Sequence, residues 1–274
     1  MRFIFSLLTL ASLGFGGWYT WENIPKIQEF VYSKFTNNEF RTLEIRYTPE
    51  ELMRLHKDYC LKNSGYTYLE PEMLYYPYLL MHVKYSKDYT TTYEGTLLWG
   101  LSDGEMVIDT TTWEKTHGFE DCLLAKADKN DFKVIKALVE AGGMIDREKL
   151  YHFFKVDRDV LDSWIESCRQ KKLIVISGNK FRLHFAEPHF ETKPCTHLDQ
   201  ALVSQPAKPS AKGSRNYSPS QIKTLTEIVF GGDFAIRKTE EVFLPVCSVG
   251  IRNPDGSTRT VYFNALNGKI TSPD

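Results

Sequence analysis

Two stretches of the chain, 170 residues apart, open with the same helix-start signals: Tyr47-Thr48-Pro49-Glu50-Glu51-Leu52 and Tyr217-Ser218-Pro219-Ser220-Gln221-Ile222. Thr48 and Ser218 are N-cap residues, and each proline takes the first helical position, where a missing N–H costs nothing. Glu51 and Gln221 complete capping boxes, while Tyr47 and Tyr217 can staple onto Leu52 and Ile222. Apolar residues then recur at one spacing, Leu52, Leu55, Tyr59 in the first stretch and Ile222, Leu225, Val229 in the second. That spacing predicts one amphipathic helix in each.

The likeness runs on. Glu72-Met73-Leu74-Tyr75-Tyr76-Pro77 matches Glu240-Glu241-Val242-Phe243-Leu244-Pro245. Each leads into an alternating strand, Leu79, Met81, Val83 against Cys247, Val249, Ile251. The second hairpin turns at Asn253-Pro254-Asp255-Gly256, and the first is four residues longer. Both copies end in a strand and a polar turn, Ser102-Asp103-Gly104-Glu105-Met106 and Leu266-Asn267-Gly268-Lys269-Ile270. Agreement of cap, staple, spacing, parity and turn predicts a duplicated unit, a helix followed by a small antiparallel sheet. One such unit has too few elements to be very stable alone, so the copies are expected to pack together.

The closing run Thr260-Val261-Tyr262-Phe263-Asn264-Ala265-Leu266-Asn267-Gly268-Lys269-Ile270 resembles the final hairpin of PepSY-type modules. The resemblance covers each copy. It implies exported or membrane-anchored modules that bind proteins, some restraining peptidases, and so binding rather than catalysis.

Between the copies the pattern changes. Asp131 is expected to open a helix with Phe132, Ile135, Leu138 and Val139 on one face, closed by Gly142-Gly143. A short helix capped by Asp146 follows, with Leu150, Phe153 and Phe154 inward. A third is capped by Asp157, with Val156 stapled to Leu161 and a stripe of Val160, Leu161, Trp164, Ile165 and Cys168. A hairpin then turns at Ser177-Gly178-Asn179-Lys180. Three helices and a hairpin over residues 128–190 resemble a winged-helix domain. That fold implies DNA binding through its third helix, with Arg158, Lys171, Lys172, Lys180 and Arg182 as the basic candidates. The charges argue against it, because Asp157 to Lys171 carries four acidic residues against three basic ones. Across the whole chain 34 Lys+Arg stand against 35 Asp+Glu, so no global field draws it to nucleic acid or anionic lipid.

At the N-terminus, Phe3 to Trp21 has no charged residue and follows Met1-Arg2. The run has the form of a signal h-region with Gly14-Phe15-Gly16 near a possible cleavage site, or of a membrane anchor. Lys26, Lys34 and Arg41 follow it and leave a cytosol-facing anchor as the alternative to export. The five cysteines, Cys60, Cys122, Cys168, Cys195 and Cys247, have no CxxC spacing and do not fix a redox compartment.

Few residues suggest chemistry. Nucleotide, zinc-protease and serine-hydrolase motifs are absent from the sequence, so no enzyme activity and no cofactor is expected. His184, His189, Cys195 and His197 are metal-ligand types within a Pro-containing stretch, and make a metal-dependent protein the second alternative. Tyr75, Tyr76 and Tyr78 could offer an aromatic surface to a peptide. The expected fold is α+β in six parts: a leader or anchor over 1–21, an amphipathic connector over 22–45, repeat 1 over 46–127, the winged-helix-like domain over 128–190, a Pro/Ser linker over 191–215 and repeat 2 over 216–274. The expected function is that of a non-enzymatic, anchored or exported binding protein of a cell envelope. Its partner is expected to be another protein, with the membrane met through residues 3–21.

Overall fold

The computed structural model describes residues 39–86, 91–185, 187–191, 193–206 and 213–272. The expected leader (1–21) and most of the connector (22–38) lie outside them. No helix among the described residues is long and apolar enough to cross a membrane.

Two long strands form the middle of an α+β structure, β3 (Glu72–Ser86) and β11 (Ala235–Arg252). They pair antiparallel with Tyr76 opposite Leu244, its counterpart in the sequence likeness; on either side Tyr75 faces Pro245 and Pro77 faces Phe243. Each matched position therefore pairs with the match of its mirror position, as across a local two-fold axis. Beside β3 runs β4 (Thr92–Gly100), then β5 (Met106–Asp109) and β6 (Glu114–Lys115). Beside β11 run β12 (Thr258–Asn264) and β13 (Ile270–Thr271). Registers agree residue for residue: Trp99 faces Met106 as Phe263 faces Ile270, and Leu98 faces Val107 as Tyr262 faces Thr271. The short β2 (Thr67–Tyr68) sets Tyr68 against Ile251, as β11 sets Ile236 against Val83.

The helix starts form as the caps require. α1 (Pro49–Leu55) and α7 (Pro219–Phe230) carry complete capping boxes from Thr48 and Ser218. The short α2 (Lys57–Cys60) continues α1. Each helix, however, packs on the sheet half of the other stretch. Leu52 of α1 is buried with Cys247, Val249, Ile251 and Phe263, whereas Ile222 and Leu225 of α7 are buried with Leu79, Met81, Val83 and Trp99. The entering backbone is exchanged in the same way: Tyr47 N–H donates to Ala265 at 3.0 Å, and Tyr217 N–H to Leu101 at 2.9 Å. The two stretches, expected to pack together, are joined by this exchange of helices. The cause lies upstream of α1. Residues 39–43 are a strand, β1 (Glu39–Leu43), rather than part of a connector; Thr42 lies beside Phe243 and delivers α1 to the β11 half.

Within the expected linker (191–215), residues 193–206 are held on the sheet. Thr196 N–H donates to the Thr96 carbonyl at 2.6 Å and His197 N–H to Ile108 at 2.8 Å. β10 (Leu202–Pro206) then pairs antiparallel along all of β1. Backbone pairing, which needs no apolar side-chain pattern, holds this polar stretch in place.

The middle stretch adds α3 (Phe119–Leu124), α4 (Lys129–Glu140), β7 (Met144–Asp146), α5 (Arg147–Phe153), α6 (Arg158–Gln170), β8 (Ile174–Ser177) and β9 (Lys180–Leu183). The α4 capping box is made by Asp128 with Asp131 as its third residue, so the helix starts three residues earlier than expected. β7, β9 and β8 make a separate three-stranded sheet in that order. Its core, with Leu138, Leu150, Leu161 and Phe181, runs without a break into that of the β3–β4 half.

Candidate functional site

The three tyrosines lie in β3 and are covered. Phe40 of β1 packs edge-on against Tyr75 at 4.7 Å between ring centroids. Gly213 passes so close to Tyr76 that a Cβ there would lie 2.5 Å from its ring. Tyr78 is buried, edge-on to Trp113 at 5.4 Å. Burial pushes its phenol up to about 12, against the opposing pull of Lys115. Tyr78 is therefore interior, while Tyr75 and Tyr76 are half-buried, against Phe40 and residue 213 respectively.

Around Tyr78 the structure builds a polar cluster that the sequence did not signal. Lys115 pairs with Asp103 and lies 5.7 Å from the centroid of the Tyr78 ring. Trp113 adopts φ of +60°, an uncommon conformation for so bulky a residue. The cleft between them holds about 20 Å³, space for roughly one water molecule.

The basic candidates separate. Lys171 at the end of α6 bonds to Asp128 at 3.0 Å and to the fully buried Asp131, tying α6 to α4. Burial alone would lower its pKa, but hydrogen bonds to Asp131 and Asp128 outweigh this and raise it. Arg158 lies over the Tyr151 ring at 5.4 Å and near Glu148 at 3.8 Å. Lys172, Lys180 and Arg182 are exposed, the last two on the outward side of β9. One of five candidates is thus withdrawn into structure and a second is paired.

The metal candidates do not converge. His197 and His189 are strung along the sheet edge by backbone bonds to Ile108 and His117, which fixes them in extended chain. The His197 imidazole is 3.4 Å from Asp109 and that of His189 is 3.8 Å from Glu114, while His184 and Cys195 are exposed. Among the described residues no group of three or more His, Cys, Asp or Glu side chains could hold a metal ion. All five cysteines are unpaired, and only Cys195 is exposed.

An apolar face remains at the α5–α6 corner. Phe153, Val156 and Val160 were expected in the core or as a staple, yet are 51%, 41% and 42% exposed. Of these, Phe153 packs edge-on against the half-buried Phe154 at 5.2 Å, and Phe154 in turn against Trp164 at 5.9 Å. Lys133 covers the Trp164 ring at 4.4 Å, and Tyr151 donates to Asp162. The reason is angular. Leu161, Ile165 and Cys168 fill the inward stripe of α6, and Val160 stands about 100° round the helix from Leu161. The five-residue apolar stripe was too wide to be buried whole, and that width was the signal in the sequence. An exposed aromatic and aliphatic patch with charges at its rim has the make-up of a protein-contact surface.

No family model matches the sequence, and no curated protein or solved structure matches it.

Proposed function

We propose that this is a non-enzymatic binding protein, held at or exported across a membrane by residues 3–21, whose middle unit engages another protein through the α5–α6 face. The observation that carries the reading is the exposure of Phe153, Val156 and Val160 beside Phe154 and Trp164. The order helix, strand, helix, helix, strand, strand over 129–183 supports a winged-helix-like unit. The registers shared by the β3–β5 and β11–β13 halves support a duplicated origin with exchanged helices. The PepSY resemblance adds an expectation of binding, on the hairpin residues alone. Use of α6 against DNA is disfavoured by Lys171, which is committed to Asp131 and Asp128.

The test is a photo-crosslinking residue at Val160 in the full chain, in intact cells. The reading expects a discrete crosslinked protein that disappears in Phe153→Asp while the fold persists by circular dichroism. Crosslinks that Phe153→Asp leaves unchanged, or salt-dependent retention of random duplex DNA by the pure chain, would refute it.

A further inference from the structure

The local two-fold makes a comparison possible between the two sheet halves. On the β3 half, α7 places Leu225 at 3% exposure, and Met106 of β5 is fully buried. Both are covered by the middle stretch: α4 lies against α7, and Phe119 and Phe132 join the same core. On the β11 half the matching positions are Leu55 of α1 and Ile270 of β13, and these are 63% and 43% exposed. Tyr59, which matches the half-buried Val229, is 52% exposed. The two surfaces share strand register and apolar positions, although α7 runs unbroken where α1 gives way at His56 to α2, and Arg259 lies over the Tyr59 ring at 5.7 Å. One is covered and the other is open.

We infer that the Leu55–Tyr59–Ile270 face is a second docking surface, and that its occupant is an amphipathic helix of another protein. The covered half supplies the chemistry of that occupant. α4 presents Phe132, Ile135 and Val139, three and four residues apart, toward α7. A helix with an aromatic residue followed by two aliphatic ones at that spacing suits the exposed apolar positions beside α1. His56 gives the face a fixed floor, since its ring stacks on Phe263 at 4.8 Å and its Nε2 is 2.6 Å from the Gly268 carbonyl. This face is remote in sequence from the α5–α6 corner, and it rests on the protein-binding reading only in expecting a protein partner.

The probe is a labelled synthetic peptide with the sequence of residues 117–141, which carries α3 and α4, titrated into the full chain by fluorescence anisotropy. Saturable binding is expected, weakened about tenfold or more by Leu55→Asp or Ile270→Asp. Both positions are exposed, so these variants keep the core intact. Phe153→Asp is expected to leave binding unchanged, which separates failure here from failure of the α5–α6 site. The inference is overturned if the peptide does not bind, or if Leu55→Asp and Ile270→Asp leave binding intact. Concentration-dependent dimerisation abolished by Leu55→Asp would overturn it in favour of a second copy. Binding seen only after removal of residues 1–38 would overturn it in favour of the chain's own N-terminal segment.

Discussion

Lys171 separates a structural role from a nucleic-acid role, so its replacement is informative. Asp131 is fully buried and accepts hydrogen bonds from the Asp128 N–H at 2.8 Å and the Ser167 hydroxyl at 2.9 Å. Its counter-charge comes from Lys171, whose side chain is 27% exposed. Removing one partner of a buried pair costs about 3–5 kcal/mol, mostly through the charge left behind. Water reaches the lysine side and Asp131 keeps three other donors, the Cys168 thiol at 3.4 Å among them, so Lys171→Met is expected to cost about 3 kcal/mol, the lower end of that range. For a chain of this size that is roughly 6–12 °C in Tm. Urea denaturation followed by circular dichroism measures it. Adding Asp131→Asn should return the double variant to within about 1 kcal/mol of Asp131→Asn alone, since the two positions act as one unit. A loss below about 0.5 kcal/mol for Lys171→Met, typical of an ordinary surface change, would refute the assignment.

The pair also sets a pH dependence. The folded pKa of Lys171 is raised, so its contribution is complete below its ordinary value of 10.5 and lost as pH climbs through the folded value. Wild type should therefore lose more stability than Lys171→Met in alkaline denaturation series. Leu225→Ala should cost about 2–5 kcal/mol and Leu55→Ala less than about 0.5, although the two match in sequence, because only the first is covered. Phe119→Ala should cost about 3–5 kcal/mol, since its buried ring joins Trp99 at 5.0 Å to Phe190 at 5.0 Å. Gly104 and Gly268 have φ of +69° and +72°, so alanine at either should cost about 1–2 kcal/mol. Gly104→Ala should cost more, because its Cβ would meet Leu123 at 2.8 Å whereas that of Gly268 meets nothing nearer than 3.4 Å. Thermal melts of the five variants check these orders.

What was legible in the sequence was local. The capping boxes at Thr48 and Ser218 and the inward parity of Leu79, Met81 and Val83 formed as read, because each depends on residues within a turn or a strand. Exchange of the helices was not legible. It depends on β1 lying beside Phe243, a contact 201 residues apart in the chain. β7 was missed because three residues cannot carry a period, and its strand character comes from pairing with β9. The 193–206 stretch looked like a linker because its attachment to the sheet is made largely by backbone groups, which leave no pattern of side chains. The candidate site was the least legible. Tyr78 and Val160 are both apolar-pattern residues, and the sheet covered one while the filled stripe of α6 displaced the other.

The exchange of α1 and α7 has a consequence for how the protein is made. Strands β3, β4 and β5 are complete by residue 109, yet Ile222 and Leu225, which close their core, come more than a hundred residues later. During synthesis at about 5–20 residues per second, the first half therefore waits several seconds or more for its lid. Until then its apolar face stays open and cannot lock into the native state. The topology itself thus delays closure of the β3 half until α7 has been made.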